Sequence, residues 1–262
     1  MVRKRVLPVV STFPNPAADM PVLILPPVIG HRCARAKAPE NTLAGLRRAA
    51  ALGARWVEVD VRLTADGVPV LLHDATLERT TDGKGALAAT TLVELQRLDA
   101  GGGEPVPTLA AFLHTALEFG IGVNLELKWE AGDLGAPAPE TLARATLEVA
   151  RDVWPGKIAP PLISSFEPAC LAAAALLAPG WPRGLLLEDI LPEWPETAAR
   201  VGALAIIVDH TRIVDRATVA ALAAGGRTVA AYTVNDVARA NLLLSWGLAA
   251  VVSDHPDIFF RF

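Results

Sequence analysis

Eight short apolar runs alternate with helical segments along the chain, and this alternation predicts an α/β protein folded as a TIM-type (β/α)8 barrel. The length of 262 residues, 52% of them hydrophobic, fits one domain of barrel size. A doubly wound sheet is the alternative, but its glycine-rich phosphate loop is missing after the first run. The predicted strands are 28–31, 57–61, 121–128, 161–165, 184–187, 204–208, 228–233 and 249–253.

Helices are predicted between these strands, where the segments begin with capping or acidic residues and several end at glycine. The predicted helices are 42–52, 108–120, 139–153, 167–178, 192–201, 215–224 and 236–246. Residues 1–26 are rich in proline and lack periodicity. We therefore interpret 1–26 as an N-terminal tail or strap and 27–262 as the barrel domain.

The dipeptide Asp66-Gly67 separates two β-branched runs, which is the strongest short signal for a β-hairpin. A two-residue loop at this dipeptide would pair Asp60 with His73, with Cβ atoms about 5 Å apart. Glu58 lies two residues before Asp60 and therefore on the same face of the strand. The sequence thus predicts a small β-hairpin extension after the second strand that gathers two carboxylates and an imidazole.

Other polar residues fall at the ends of predicted strands, where barrel enzymes carry their active sites. His31 ends the first strand and Arg32 follows it, while Glu126 and Lys128 are spaced so that both point into the barrel. Taken singly, His31 is compatible with a hydrogen-bonded core histidine, and Glu126 and Lys128 with a structural ion pair. Glu40 is compatible with a first-turn acid favoured by the helix dipole. The position of the whole set at one rim predicts a functional site.

The residue types predict the chemistry of this rim. The carboxylates Glu58, Asp60 and Glu126 form an all-oxygen set, which suits a hard divalent cation such as Mg²⁺ or Ca²⁺. Two histidines provide a general acid and a general base near neutral pH. Arginine and lysine side chains provide the fixed positive charge that holds a phosphate. Together these groups predict hydrolysis of a phosphate ester.

These residues stand in short motifs that follow one another from residue 28 to 256. The motifs are His31-Arg32-x₇-Glu40-Asn41-Thr42, Glu58-Val59-Asp60-Val61, His73-Asp74, Leu77-Glu78-Arg79-Thr80-Thr81-Asp82-Gly83-Lys84-Gly85, Pro107-Thr108-Leu109, Glu126-Leu127-Lys128, Ser164-Ser165-Phe166, Tyr232-Thr233-Val234-Asn235 and Val252-Ser253-Asp254. In this order they resemble the glycerophosphodiester phosphodiesterase family, of the cytoplasmic type.

The resemblance implies a metal-dependent enzyme that hydrolyses a small-molecule glycerophosphodiester to sn-glycerol 3-phosphate and an alcohol. It implies metal binding by Glu58, Asp60 and Glu126. It also implies acid/base catalysis by His31 and His73, and substrate binding by Arg32, Lys128, Glu40 and Tyr232, with Glu40 beside the metal or its water. Attack by the neighbouring glycerol hydroxyl through a cyclic phosphate and direct attack by water are both compatible with these residues.

Three positions depart from the family pattern. Cys33 stands where the family usually has glycine; if the position needs a positive φ, the cysteine strains it by about 1–3 kcal/mol. Lys37 would add a positive charge near the mouth of the site, and Tyr232 replaces a usual tryptophan. Because the family needs no cysteine nucleophile, we do not favour that role for Cys33. These departures affect which ester alcohol the site accepts and how fast the reaction runs, and not the type of chemistry.

Two other functions are compatible with the sequence. One is a related barrel phosphodiesterase for lysophospholipids or phosphoinositides, which would need an apolar rim; residues 20–27 are the candidate stretch. The other is a degenerate barrel that binds a phosphoester without cleaving it. The loop 130–139 follows a strand on the active face and is interpreted as a lid or as an ordinary loop.

Charge and hydropathy exclude several partners. A net charge of −4 without a basic run argues against nucleic acid. No apolar run reaches the ~18 residues that span a bilayer, so stable membrane insertion is not expected. Cys33 and Cys170 lie far apart and are interpreted as free thiols in a reducing compartment, which predicts a cytoplasmic protein. The oligomeric state is left open.

Overall fold

Eight parallel strands close into a barrel in the computed structural model, which describes residues 23–259 except 131 and 134. The strands are β1 (Val28–Gly30), β2 (Trp56–Leu63), β3 (Pro69–Leu71), β4 (Gly122–Leu127), β5 (Leu162–Ser165), β6 (Arg183–Leu187), β7 (Ala205–Asp209), β8 (Thr228–Tyr232) and β9 (Ala250–Ser253). β1 pairs in parallel with both β2 and β9, which closes the ring, and β3 pairs antiparallel with β2 outside it. The predicted (β/α)8 barrel is confirmed.

All seven predicted helices form in the described part of the chain. The α-helices are α1 (Leu43–Ala51), α2 (Leu92–Leu95), α3 (Leu109–Glu118), α4 (Pro139–Val153), α5 (Pro168–Leu177), α6 (Trp194–Val201), α7 (Arg216–Leu222) and α8 (Val237–Ser245). Five of them begin one residue later than predicted because the first predicted residue is an N-cap whose side chain accepts a backbone N–H: Thr42, Thr108, Glu167, Asp215 and Asp236. The short α2 was not predicted.

The alternation of side chains along the strands separates two layers. The outward residues of β2 pack under the helices: Val57, Val59, Val61 and Leu63. Glu58 and Asp60 lie between these valines and therefore point into the barrel, where both are buried. An apolar cluster fills the rest of the interior: Leu25, Ile29, Leu162, Leu186, Ala205, Ile207, Ala230, Ala250 and Val252. The buried acids therefore share the barrel interior with an apolar core.

The hairpin register differs from the predicted one by one residue. Val61 pairs with Leu71, and the backbone N–H of Thr64 donates to the carbonyl of Val68 at 3.1 Å. The loop is therefore three residues long and ends at Gly67 in the left-handed region with φ 77°. The expectation that Asp60 faces His73 is wrong, because Leu72 takes that position through a hydrogen bond from its N–H to the carbonyl of Asp60.

The extension after β2 is also larger than a hairpin. It adds 3-10 turn Leu87–Ala89 and helix α2 to β3. Its apolar side chains form a small core of their own: Val70, Leu72, Leu77, Leu87, Leu95, Ala100 and Val106. This core holds the segment against the barrel rim, and His73 lies just beyond the end of β3.

A buried arginine anchors the loop that the sequence leaves as a lid or an ordinary loop. Arg62 Nη1 lies 2.6 Å from the Asp133 carboxylate, and Arg62 Nε donates to the backbone carbonyl of His73 at 2.7 Å. The Trp129 indole N–H donates to the carbonyl of Pro137 at 2.8 Å. The described part of the loop is therefore held down, and the same guanidinium positions the chain at His73.

The described residues at the N-terminus cover the opposite end of the barrel. Leu23 accepts a hydrogen bond from the Thr228 hydroxyl at 2.9 Å, and Pro27 accepts one from the N–H of Val251 at 3.0 Å. Leu25 packs into the apolar barrel interior. Most of the proposed strap lies outside the described residues. Among the described helices, none has the length and apolarity that crossing a membrane requires.

The three-residue loop predicts the cost of replacing its glycine. Gly67→Ala should destabilise the protein by about 1–2 kcal/mol, because alanine disfavours the left-handed φ of this position. A steric clash does not contribute, since an added Cβ meets no atom within 4 Å. Gly67→Asn should cost less, since asparagine tolerates this region better. Urea unfolding with Gly156→Ala as the control, a glycine with open space and no left-handed φ, measures the difference. Equal stability of the Gly67→Ala and Gly156→Ala variants would contradict the loop geometry.

Candidate active site

A cavity of about 520 Å³ opens at the carboxyl ends of the barrel strands. Seven of the nine predicted site residues line it: His31, Arg32, Glu58, His73, Glu126, Lys128 and Tyr232. Asp60 lies buried beside them with 1% of its surface exposed, and Glu40 lies outside the cavity wall. The remaining wall is made by Asn124, Glu130, Phe166, Leu186, Glu188, Ile207, Asp209, Arg212, Thr233 and Val252.

Three buried carboxylates meet inside this cavity. Glu58, Asp60 and Glu126 each offer one oxygen within 4.8 Å of the others, and Asp60 and Glu126 are directly paired on β2 and β4. Burial and the neighbouring carboxylates raise the pKa of Glu58 well above its usual range, and burial and Asp60 raise the pKa of Glu126 to about 7. Among the described residues, none donates a hydrogen bond to Oε1 of Glu58. A divalent cation fits this set, because it would supply the missing partner and the missing charge.

A tight turn after β1 places Arg32 against these acids. Arg32 and Cys33 have φ angles of 46° and 77°, and a Cβ on Gly30 would lie 1.9 Å from the carbonyl oxygen of Cys33. The backbone N–H of Arg32 donates to Glu58 Oε2 at 3.0 Å. Cys33 therefore has the positive φ that the sequence analysis considered for this position. Its thiol is fully buried, lies outside the cavity wall and has a pKa raised by burial, which argues against a nucleophile.

Two cations offset part of the negative charge. The Arg32 Nε atom lies 3.3 Å from the Asp60 carboxylate, and Lys128 Nζ donates to Glu126 Oε1 at 3.1 Å. Asn41, at φ 57°, donates its amide N–H to Asp60 Oδ2 at 2.8 Å. Since Arg32 and Lys128 both line the cavity, they are placed to meet an anionic group bound there.

Each cavity histidine is held by its own aspartate. His31 Nδ1 lies 2.6 Å from Asp254 Oδ1, and His73 Nδ1 lies 2.6 Å from Asp74 Oδ1. Burial raises the pKa of Asp254, but the hydrogen bond from His31 outweighs it and lowers that pKa to about 2. Because an ionised carboxylate only accepts, each Nδ1 carries a proton and each Nε2 is left for chemistry. Burial lowers the pKa of His73, which favours its neutral imidazole.

Glu40 connects the surrounding arginines. It accepts hydrogen bonds from Arg32 Nη1 at 2.8 Å, Arg35 Nε at 2.9 Å and Arg79 Nη2 at 2.8 Å. Burial would raise the pKa of Glu40, but the hydrogen bonds from Arg79 and Arg32 lower it to about 2. The oxygens of this carboxylate are thus occupied by guanidinium groups, one of them that of Arg32. The placement of Glu40 beside the metal or substrate stays a prediction.

Sequence reasoning missed several residues that support the site. Asp254 and Asp74 stand in quoted motifs, but nothing local to those motifs indicates that they hold the histidines. Lys37, expected near the mouth, lies 3.7 Å from Asp257 and outside the cavity wall. Tyr232 does line the cavity, and its hydroxyl donates to the carbonyl of Leu187 at 3.0 Å.

The chain is similar to several known proteins. The model of the "Glycerophosphoryl diester phosphodiesterase family" matches residues 31–258. A glycerophosphodiester phosphodiesterase of Caldanaerobacter subterraneus is 32% identical over 238 residues, covering 88% of this chain and 94% of its own length. A phosphodiesterase of Oleispira antarctica, solved with the product sn-glycerol-3-phosphate, is 38% identical at a TM-score of 0.84, covering 89% of this chain and 95% of its own. A glycerophosphodiester phosphodiesterase structure from Agrobacterium tumefaciens has 27% identity and a TM-score of 0.72, covering 90% and 99%.

The barrel and the chemistry of its cavity place the protein among the hydrolases that cleave phosphate diesters. Within that class the chain belongs to the glycerophosphoryl diester phosphodiesterase family, as the match over residues 31–258 and the similarity to its relatives show. The resemblance seen in the sequence motifs is confirmed.

The pairing of His31 with Asp254 predicts a loss of rate when the carboxylate becomes an amide. Asp254→Asn should lower kcat by about 10²–10⁴-fold with a small change in KM, because Nδ1 loses its charged acceptor while the imidazole stays in place. Asp257→Asn, which changes the same charge beside Lys37, is the control. Steady-state kinetics that show an unchanged kcat for Asp254→Asn would contradict this role.

The arginine contacts of Glu40 predict a pH-dependent contribution to stability. Because the folded pKa of about 2 lies below the ordinary 4.5, the contribution is present above pH 4.5 and is lost as the pH falls toward 2. Glu40→Gln should cost about 1–3 kcal/mol at pH 7. Urea unfolding between pH 7 and 2, with exposed Glu118→Gln as the control, should show the difference from wild type shrink below pH 4.5. A difference independent of pH would contradict it.

Proposed function

We propose that this enzyme hydrolyses glycerophosphodiesters to sn-glycerol 3-phosphate and an alcohol with a bound divalent cation, Mg²⁺ or Ca²⁺. The observation that carries the proposal is the meeting of three buried carboxylate oxygens within 4.8 Å, in a cavity also lined by two histidines and two cations. The relative from Oleispira antarctica, with sn-glycerol-3-phosphate bound, supports the product.

Glu58, Asp60 and Glu126 would hold the cation. Their oxygens are hard ligands, and Oε1 of Glu58 is buried without a hydrogen-bond partner among the described residues. A cation bound there polarises the phosphate and neutralises charge that develops on its oxygens. Arg32 and Lys128 are placed to bind the remaining phosphate oxygens.

The two histidines divide the proton transfers between them. One Nε2 accepts the proton of the attacking hydroxyl, and the other donates a proton to the departing alcohol oxygen. The neutral imidazole of His73 suits the accepting role, because burial lowers its pKa. The Nδ1 hydrogen bonds to Asp254 and Asp74 orient both rings, and the donating ring is the imidazolium, with a proton on both nitrogens.

The attacking group is either the adjacent glycerol hydroxyl, which forms a cyclic phosphate that water then opens to sn-glycerol 3-phosphate, or water itself. Both routes need a proton acceptor and a proton donor on opposite sides of the phosphorus. Accumulation of a cyclic glycerophosphate in a single turnover would identify the first route, and its absence at all times would favour the second.

The acyl-lipid alternative lacks structural support among the described residues. The described part of the apolar stretch 20–27, residues 23–27, lies at the amino ends of the strands, next to Trp56 and Leu204. The cavity opens at the carboxyl ends. An acyl chain in the cavity would therefore not reach this apolar surface.

The proposal predicts metal-dependent release of sn-glycerol 3-phosphate from glycerophosphocholine or glycerophosphoethanolamine. Release should occur with Mg²⁺ or Ca²⁺, stop with EDTA, and fall by at least about 10²-fold in His31→Ala and Glu58→Gln. His114→Ala and Glu118→Gln, two exposed changes on α3, should retain full activity.

Circular dichroism of each variant controls for folding. If folded wild-type protein released nothing with either metal, the proposal would be wrong and a binding-only barrel would be favoured. Full release in EDTA would contradict the metal requirement and leave the proposed hydrolysis standing.

A further inference from the structure

The two cavity histidines are anchored in different ways. His31 directly follows β1 and its partner Asp254 directly follows β9, so the barrel itself holds that imidazole. His73 and its partner Asp74 are consecutive residues of the extension after β2. Their hydrogen bond orients the ring, but it does not fix how far the ring lies from the barrel strands. That distance depends on contacts that cross from the extension to the barrel.

Two hydrogen bonds fix the backbone at His73 to β2. The N–H of Leu72 donates to the carbonyl of Asp60 at 3.1 Å, and Nε of Arg62 donates to the carbonyl of His73 at 2.7 Å. In the described part of the chain, Arg62 is the one donor to this carbonyl. Because β3 ends at Leu71, His73 has no ladder partner. The guanidinium takes the place of that missing ladder hydrogen bond.

Arg62 reaches this carbonyl because of its place on β2. It follows Glu58 and Asp60 at two-residue spacing, on the same face of the strand and closer to its carboxyl end. Its side chain is only 8% exposed, so its donors need protein acceptors. The second acceptor is the Asp133 carboxylate, 2.6 Å from Nη1. The planar guanidinium holds both acceptors in fixed directions.

Another crossing contact acts on the aspartate and not on the histidine backbone. Arg79 donates to Asp74 and to Glu40, which precedes α1. The Arg79 side chain is 41% exposed, so water competes for its hydrogen bonds. The contact of Arg62 is the more buried one, and it acts on the residue that carries the imidazole. It therefore links His73 directly to the strand that carries two of the three cavity carboxylates.

We propose that Arg62 is a positioning residue for the hydrolysis: it holds the carbonyl of His73 against β2 and thereby sets the distance from the His73 imidazole to the bound phosphate. The inference rests on the proposed function, since it concerns a proton transfer of the same reaction. Arg62 lies outside the cavity wall and takes no part in substrate binding or proton transfer. A displacement of about 1 Å in a reacting group lowers a rate by up to about 10²-fold. Loss of the contact therefore affects kcat and leaves KM.

The first test is the kinetics of Arg62→Met, which removes the guanidinium and keeps most of the side-chain volume. With glycerophosphocholine and saturating Mg²⁺, kcat should fall by about 10- to 100-fold and KM should change by less than about threefold. Asp133→Asn, which retains the contact with His73, should lower kcat by no more than about twofold. The double variant Arg62→Met, Asp133→Asn leaves no unpaired carboxylate and should show the same loss, so it replaces the single variant if that one does not fold.

Arg183→Met is the matched control. Arg183 is a half-buried arginine at the amino end of β6, and its guanidinium donates to the backbone carbonyls of Val201 and Trp181 at 2.8 and 2.9 Å. Its loss should lower the free energy of unfolding in urea and leave kcat unchanged. A fall in kcat equal to that of Arg62→Met would overturn the inference, because general destabilisation would then explain both variants.

NMR of the histidine rings separates this inference from the activity. In protein with isotope-labelled histidine, the ring signals of His73, assigned with His73→Ala, should shift in Arg62→Met, while those of exposed His114 on α3 stay in place. These spectra need no substrate. A shift supports the positioning of His73 even if wild type hydrolyses no ester, an outcome that would refute only the proposed function. Unchanged His73 signals, or an unchanged kcat in Arg62→Met, would overturn the inference and leave measured hydrolysis intact.

Discussion

The buried carboxylates of Glu58, Asp60 and Glu126 set the constraint on which the rest of the site depends. Three acids within 4.8 Å inside a barrel are unstable as isolated charges, because burial removes their hydration and each repels the others. Two cationic side chains offset part of this negative charge. Arg32 lies in the turn after β1, where its φ is positive, and Lys128 lies one residue beyond the end of β4. The negative charge that Arg32 and Lys128 leave uncompensated suits a divalent cation.

A series of ion pairs outside the cavity links the two histidines. It runs from His31 to Asp254, on to Arg35, Glu40 and Arg79, and ends at Asp74 and His73. Each member holds the next in a narrow range of positions, so both imidazoles are presented to the cavity by one connected arrangement. Bidentate guanidinium contacts suit this task because they restrict orientation as well as distance. The side chains that link the two histidines thus lie outside the cavity wall.

Sequence reasoning succeeded where a single periodicity controls the outcome. The two-residue spacing of Glu58 and Asp60 put both on the inner face of β2, as the burial of both confirms. It failed at the hairpin, where a three-residue loop competes with the two-residue loop and shifts the register by one. His73 still lines the cavity because β3 ends at Leu71 and the chain leaves the ladder before reaching it. The placement was therefore correct although the pairing that predicted it was wrong.

The sequence by itself determined the alternation of strands and helices, the strand ends that carry the polar residues and the motifs of the family, because each of these is written in local spacing. Only the tertiary structure decided which carboxylate faces the cavity and which, like Glu40, faces the arginines behind it. It also decided that Asp254 holds His31 from 223 positions away, and that Glu188 and Asp209 line the same cavity as Tyr232. Such contacts form when distant strand ends meet around a closed barrel, and no local pattern encodes them.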